Sequence, residues 1–142
     1  MEITRQADYA VRAVLYLAQS GLGTRASTAQ IARAQRIPPT FLAKIVSQLS
    51  AAGILKATRG ARGGVMLGRP ADEISLLEIV EAIDGPVKLN ECVLDHKACP
   101  MGDGCAVRPV WCDAQSELVM RLERTKFSHL VRLALEKQPE LA

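Results

Sequence analysis

The chain has 142 residues, a length typical of one domain or of one domain with a short appendage. It is 49% hydrophobic but only 4% aromatic, so it has enough apolar residues for a core, and that core must be aliphatic. No apolar run approaches the roughly 18 residues of a membrane span, and the first residues lack the features of a signal peptide. We therefore expect a soluble, cytoplasmic protein rather than a secreted or disordered one.

The net charge of +3 hides an uneven distribution along the chain. Residues 1–69 contain ten Lys and Arg against two acids, a net charge of +8, whereas residues 70–142 carry a net charge of −5. From Tyr9 to Ala71 there are nine basic residues and no carboxylate. A solvated surface normally mixes both signs. One-sign charge over this length indicates a nucleic acid or an anionic membrane surface as the partner, unless the acidic half neutralises it.

The first predicted elements are three helices. Apolar residues recur at helical spacing over 4–19. Ser27 and Gln30 form a capping-box pattern that opens a short second helix. Two prolines then mark a turn, and a third helix is predicted over 39–51, because proline is tolerated at the first position of a helix. A short helix, a turn and another helix form the pattern of a helix-turn-helix.

A β-hairpin is predicted next, from strands at 54–58 and 65–67 that flank the glycine-rich turn 59–64. Helices followed by such a hairpin predict a winged helix-turn-helix. An α-helix fits the major groove of DNA, and arginines at a hairpin tip reach the minor groove or phosphates. On the third helix, Thr40, Lys44, Ser47 and Gln48 are expected on the exposed face and are of types that hydrogen-bond to bases or phosphates.

The second half of the chain is predicted to begin with a helix that Ser75 caps and Gly85 ends. An irregular loop follows over 86–108, then a long helix from about Pro109 and a short last helix capped by Ser128. The expected fold is therefore mainly α with one small β-hairpin. The expected units are a winged helix-turn-helix domain over 1–85, a cysteine-bearing loop over 86–108 and a helical region over 109–142.

All four cysteines lie within 21 residues: Cys92, Cys99, Cys105 and Cys112. Their gaps of six, five and six residues are wider than the close pairs of structural zinc sites. They suit a loop that wraps around an iron–sulfur cluster held by thiolates. Free thiols in a mobile loop and thiol-based redox sensing remain open as alternatives.

Several stretches resemble the Rrf2 family of bacterial winged-helix regulators: residues 3–12 (ITRQADYAVR), residues 37–45 (IPPTFLAKI) and the wing 59–67 (RGARGGVML). The resemblance covers nearly the whole chain and implies a homodimer, built on the long C-terminal helix and bound to a palindromic double-stranded DNA operator. It implies that Arg59 enters the minor groove and that Pro38, Thr40 and Ala43 face bases. The full predicted set of DNA-contacting residues is Ser27, Thr28, Gln30, Pro38, Thr40, Ala43, Lys44, Ser47, Arg59 and Arg62.

The resemblance also implies a metal site, an iron–sulfur cluster of the [4Fe-4S] type, or the [2Fe-2S] type, on Cys92, Cys99 and Cys105. In the cluster-biogenesis regulators of the family the fourth ligand is a His three residues after the third cysteine, where this chain has Arg108. In the nitric-oxide-sensing repressors the fourth ligand matches Asp8 of the partner subunit. Cys112 is the alternative fourth ligand, because a thiolate is a softer ligand than a carboxylate.

The sequence thus predicts a non-enzymatic, dimeric transcriptional regulator, specifically a repressor, with DNA and not a membrane as its partner. Its operator binding is expected to depend on an iron–sulfur cluster that senses nitric oxide, redox or iron status, with a small diatomic molecule or an oxidant as the signal. A thiol-based redox regulator without a cluster is the main alternative. A small iron–sulfur electron carrier is a further alternative, although a carrier has no use for a basic helix-turn-helix.

Overall fold

Six helices and one hairpin make up the part of the chain that the computed structural model describes, residues 2–93 and 104–137. The helices are α1 (Arg5–Ser20), α2 (Thr28–Gln35), α3 (Pro39–Ala51), α4 (Leu76–Asp84), α5 (Arg108–Arg124) and α6 (Phe127–Lys137). The strands are β1 (Leu55–Thr58) and β2 (Gly64–Leu67), and two 3-10 helices cover Ala71–Glu73 and Glu91–Val93. This confirms the predicted mainly α fold with one hairpin. None of the described helices is long and apolar enough to cross a bilayer.

The predicted helix starts are formed by local side-chain caps. The Thr4 hydroxyl accepts a hydrogen bond from the first turn of α1. Both capping boxes are complete, with Ser27 and Gln30 at the start of α2 and with Ser75 and Glu78 at the start of α4. In each box two backbone N–H groups, which the helix itself leaves without acceptors, are satisfied reciprocally. Each of these helix starts is therefore determined by about four consecutive residues of the sequence.

The last helix differs from its prediction, because α6 begins at Phe127 and not after a cap at Ser128. The reason is tertiary: the Phe127 side chain is fully buried, and its backbone N–H donates to the carbonyl of Ile74 at 3.0 Å. Helix α5 begins at Arg108, in agreement with the predicted start at about Pro109. The two 3-10 helices are not predicted, since elements of three residues have no periodic sequence signal.

One aliphatic core joins the two halves of the chain. Its largest fully buried side chains, apart from Phe127, are Leu17, Ile31, Leu42, Ile45, Leu49, Ile54, Ile74, Ile79, Val14 and Val65. Helix α1 lies at its centre and packs against α2, α3, α4 and α6. Each large side chain contributes about 1.5–3 kcal/mol on burial. Because Phe127 lies in this core, α6 is packed onto the helix-turn-helix, whereas no residue of α5 is buried.

The hairpin is attached to the helices by backbone hydrogen bonds. Strands β1 and β2 are antiparallel, with Leu55 opposite Leu67 and Thr58 opposite Gly64. Val65 also pairs with Ala26, just before α2, through hydrogen bonds of 2.8 and 3.0 Å. The hairpin is therefore held as a wing beside the helix-turn-helix.

Candidate nucleic-acid interface and cysteine region

All ten residues predicted to contact a duplex are exposed: Ser27, Thr28, Gln30, Pro38, Thr40, Ala43, Lys44, Ser47, Arg59 and Arg62. On α3 this follows from the helical period, because the face that carries Leu42, Ile45 and Leu49 is buried against the core. The outer face of α3 and the tip of the wing are thus free to meet a partner.

Gln48 is the exception among the predicted hydrogen-bonding residues of α3. It is half-buried, and its Oε1 accepts a hydrogen bond of 2.7 Å from Nε2 of Gln6 on α1. Nearby, the rings of Tyr9 and Phe41 meet edge to face, with centroids 5.9 Å apart. Gln48 is thereby engaged in holding α3 on α1, which corrects the prediction that it lies on the exposed face.

Arg12 on α1 stabilises the turn between α2 and α3. Nη1 of Arg12 donates to the carbonyl of Gln35 at 2.9 Å, in the last turn of α2. The same guanidinium lies 3.4 Å from the carboxylate of Asp8 and 4.9 Å from the ring centre of Tyr9. Arg36 follows with φ of 54°, a left-handed conformation that ends α2. Asp8 is 63% exposed, and through Arg12 it is linked to the end of α2.

The wing turn depends on a glycine that side chains cannot replace. A Cβ added at Gly63 would lie 2.1 Å from the carbonyl oxygen of Thr58. Nη1 of Arg25 donates to the carbonyl of Arg62 at 2.7 Å and so braces the turn. Arg25 was not among the predicted interface residues. Its position within the carboxylate-free stretch 9–71 was the one sequence feature that could have indicated it.

Most of the positive charge in the first half is not neutralised by the second half. Within the described residues, Arg12 and Arg69 are the two basic residues of this half that form ion pairs, Arg69 with Glu78 at 2.8 Å. Burial raises the pKa of Glu78, but the Ser75 backbone N–H, Arg69 and Lys126 together hold that pKa below its ordinary value of 4.5. The remaining cations form the positive surface expected of a DNA-binding protein.

The cysteines lie on both sides of the start of α5 in sequence. Cys92 is in the 3-10 helix Glu91–Val93, which packs against α5. Cys105 precedes α5 and Cys112 lies in its first turns, and both are half-buried thiols outside any disulfide. Cys99 lies outside the described residues, so its predicted role has no structural counterpart here.

Gln115 anchors the start of the cysteine loop on α5. Its Oε1 accepts from the N–H of Leu89 at 2.9 Å, and its Nε2 donates to the carbonyl of Val87. Gln115 was not predicted as a functional residue, because a glutamine on a helix has no local signature that identifies a partner 26 positions away. The loop before Cys92 is therefore connected to the long helix.

The donor set of this region fits an iron–sulfur cluster in its chemistry, since thiolates are the ordinary ligands of such clusters. Within residues 2–93 and 104–137, however, no three His, Cys, Asp or Glu side chains lie together as a metal site. A complete site would therefore need at least one ligand from outside the described residues, where Cys99 lies, or from another subunit. Asp8 is exposed at the first turn of α1, where it pairs with Arg12.

The fold and its basic surface define a winged helix-turn-helix DNA-binding protein. Over residues 3–133 the chain matches the Rrf2 family model, described as "Iron-dependent Transcriptional regulator". The chain belongs to the Rrf2 family, as the sequence resemblance implied. It is a DNA-binding transcriptional regulator and not an enzyme, so the electron-carrier alternative is not supported.

Individual relatives agree with this assignment. The chain is 33% identical over 135 residues to Rv1287 of Mycobacterium tuberculosis strain H37Rv, named as an HTH-type transcriptional regulator, with coverage of 95% of this chain and 84% of that protein. It is similar to the structure of CymR, the global cysteine regulator of B. subtilis, with a TM-score of 0.82, 25% identity and coverage of 94% and 98%. The structure of T. potens IscR shares the fold, with a TM-score of 0.78, 24% identity and coverage of 97% and 91%.

Proposed function

We propose that this regulator is a homodimeric repressor whose affinity for a palindromic operator is set by an iron–sulfur cluster on Cys92, Cys99 and Cys105. The description of the family as iron-dependent supports the proposal. The observation that carries it is the position of the described cysteines, because Cys92 lies in a 3-10 helix that packs against α5 and Cys105 lies three residues before that helix. A group bound to both thiolates would fix the loop against the start of α5.

Exposed apolar side chains on α5 support the dimer. Val107, just before the helix, and Val110, Trp111 and Met120 on it are 42–61% exposed, and α5 buries none of its residues within the described chain. Apolar residues of this size along one long helix are typical of a surface that a second subunit covers. The α3 helices of the two subunits would then enter successive major grooves about 34 Å apart.

The proposed fourth ligand is Asp8 of the partner subunit, with Cys112 as the alternative. When bound, the cluster would be the group through which nitric oxide, an oxidant or a loss of iron acts on the regulator. Ligation across the interface would compete with the ion pair between Asp8 and Arg12 of its own chain. Because Arg12 also holds the carbonyl of Gln35 at the end of α2, the cysteine region and the helix-turn-helix would be physically linked.

Spectroscopy of the anaerobically purified protein tests the cluster. We expect absorbance and electron paramagnetic resonance signals of an iron–sulfur centre, lost in Cys92→Ala, Cys99→Ala and Cys105→Ala. Asp8→Ala should change the spectrum or stability of the centre, and Glu81→Ala, which removes an exposed acid on α4, is the matched control. The proposal would be disproved by a colourless protein whose operator affinity does not change with iron, nitric oxide or oxidants.

A thiol-based switch without a cluster is the second candidate function. The half-buried thiols of Cys105 and Cys112 favour it, as does the likeness to a regulator described as the global cysteine regulator of its organism. In this case two thiols would give up two protons and two electrons to form a disulfide, while a peroxide is reduced to water. Peptide mapping without reductant, after peroxide treatment of the cluster-free protein, would detect the disulfide, and a parallel operator titration would show whether it controls binding.

A further inference from the structure

A concave surface with a strong positive charge lies where α5 ends and α6 begins. The cavity has a volume of about 570 Å³, and Glu117 contributes its one carboxylate. Five basic side chains line it: Arg121, Arg124, Lys126, His129 and Arg132. None of these residues belongs to the wing, to α3 or to the cysteine loop. The cavity borders the proposed dimer surface, because Met120 of α5 also lines it, but it is distinct from the predicted DNA contacts and the cysteines.

The permanent cations around this cavity form no close ion pairs within the described residues, although Lys126 is near enough to Glu78 to lower the pKa of that carboxyl. In the part of the chain that the structure describes, no Asp or Glu oxygen lies within 4.0 Å of the charged groups of Arg121, Arg124, Lys126 or Arg132. They nevertheless belong to the half of the chain whose net charge is −5. Like charges around one concave surface repel each other, and a bound anion removes this repulsion.

The side-chain types indicate which anion fits. The planar guanidinium of arginine donates paired hydrogen bonds to phosphate oxygens, and three arginines line the cavity. Its volume falls within the range of about 300–1,000 Å³ that is typical of small-ligand pockets. We propose that the corner between α5 and α6 binds a small phosphate-bearing anion.

Binding at this corner would act on the connection between two functional parts. Arg121 and Arg124 lie on α5, which is proposed to form the dimer, whereas Arg132 lies on α6, which packs against α1. The connecting residues are already hydrogen-bonded to the start of α4, through Thr125 to Leu76 at 2.8 Å. An anion held by both helices would fix the angle between α5 and the DNA-binding domain. The proposal does not depend on the presence of a cluster.

Titration of the full-length protein with inorganic pyrophosphate, at constant ionic strength, tests the site. Calorimetry measures the heat of binding, and the width of the phosphorus NMR resonance of pyrophosphate reports how much of it is bound. We expect saturable binding at one site per chain, with a dissociation constant below about 1 mM. The double variant Arg121→Gln/Arg124→Gln should bind at least about tenfold more weakly, because two charge-assisted contacts are lost. The matched control Arg33→Gln/Lys56→Gln removes two exposed charges elsewhere and should bind like the wild type.

Circular dichroism establishes that each variant is folded, and Arg132→Gln on α6 replaces the double variant if that one does not fold. Absent or non-saturable binding to the wild type would overturn the proposal. So would an equal loss in the control variant, which would show general charge screening. If pyrophosphate does not bind while Arg121→Gln/Arg124→Gln weakens duplex binding as much as Arg59→Gln does, the cavity contacts the DNA backbone and the proposal is wrong.

Discussion

Replacing Gly63 with alanine is the sharpest test of how the wing is built. The added Cβ would lie 2.1 Å from the carbonyl oxygen of Thr58 and 2.8 Å from the carbonyl carbon of Arg59. Both are backbone atoms, so the clash cannot be relieved by rotating a side chain. The turn itself must move, and the two strands that it joins must follow.

The size of the effect follows from what holds the wing in place. Overpacking of this kind costs about 1–3 kcal/mol. Two backbone hydrogen bonds between Ala26 and Val65 oppose the movement, each worth about 0.5–1.5 kcal/mol, and the charged Arg25 contact adds about 1.5–3 kcal/mol. Because the clash is of the same order as these attachments, we expect the turn to shift while the core stays folded. Displacement of Arg59 and Arg62 should then weaken duplex binding about 10- to 100-fold.

Two measurements check this prediction. Urea denaturation followed by circular dichroism gives the loss of unfolding free energy, and fluorescence anisotropy with an operator selected from random duplexes gives the DNA affinity. Gly104→Ala is the control for stability, since a Cβ at Gly104 meets nothing within 4 Å. If Gly63→Ala bound the operator like the wild type with an unchanged denaturation midpoint, the described shape of the wing turn would be wrong.

Three further predictions concern single side chains. Arg36→Gly should raise the unfolding free energy by about 1 kcal/mol, because an L-residue with φ of 54° is strained, and urea denaturation measures this gain. The same variant should weaken duplex binding, because an exposed cation is lost, and fluorescence anisotropy measures this loss. Glu78→Gln should destabilise the protein at neutral pH but not in acid. The folded-state pKa of Glu78 lies below 4.5, so its stabilisation is present above that value and is lost as the pH falls through the folded-state pKa, which denaturation over a pH series will show. Gln115→Ala should cost about 1–2 kcal/mol locally and speed amide hydrogen exchange over 87–93, because two hydrogen bonds to the loop are removed.

Each of these predictions has a control and a contradicting result. Arg33→Gly lies within α2 and should lose about 1 kcal/mol, so a similar loss in Arg36→Gly would refute the argument from strain. A difference between Glu78→Gln and the wild type that stayed constant from neutral pH into acid would contradict the pKa argument. For Gln115→Ala, the exposed Gln19→Ala is the control, and unchanged exchange over 87–93 would show that Gln115 does not anchor the loop.

The positions and starts of most helices were predictable from short stretches of sequence. The capping boxes at Ser27 and Ser75 act within four residues, and the buried face of α3 repeats at the helical period. The carboxylate-free stretch indicated the DNA-binding surface, because charge composition does not depend on knowing the fold. The family resemblance identified the same surface and the cysteines together.

Contacts between distant segments were decided by tertiary packing alone. Gln48 meets Gln6 across 42 positions, Arg25 meets Arg62 across 37, and Gln115 meets Leu89 across 26. No local period or cap encodes such pairs, since each depends on how whole helices and the wing are placed around α1. The start of α6 at Phe127 has the same origin, because its burial and its bond to Ile74 exist only once the core has formed. The amino-acid sequence by itself thus determined the helices, the wing and the charged surface, whereas packing decided which side chains hold those parts in position and which cations gather around the α5–α6 cavity.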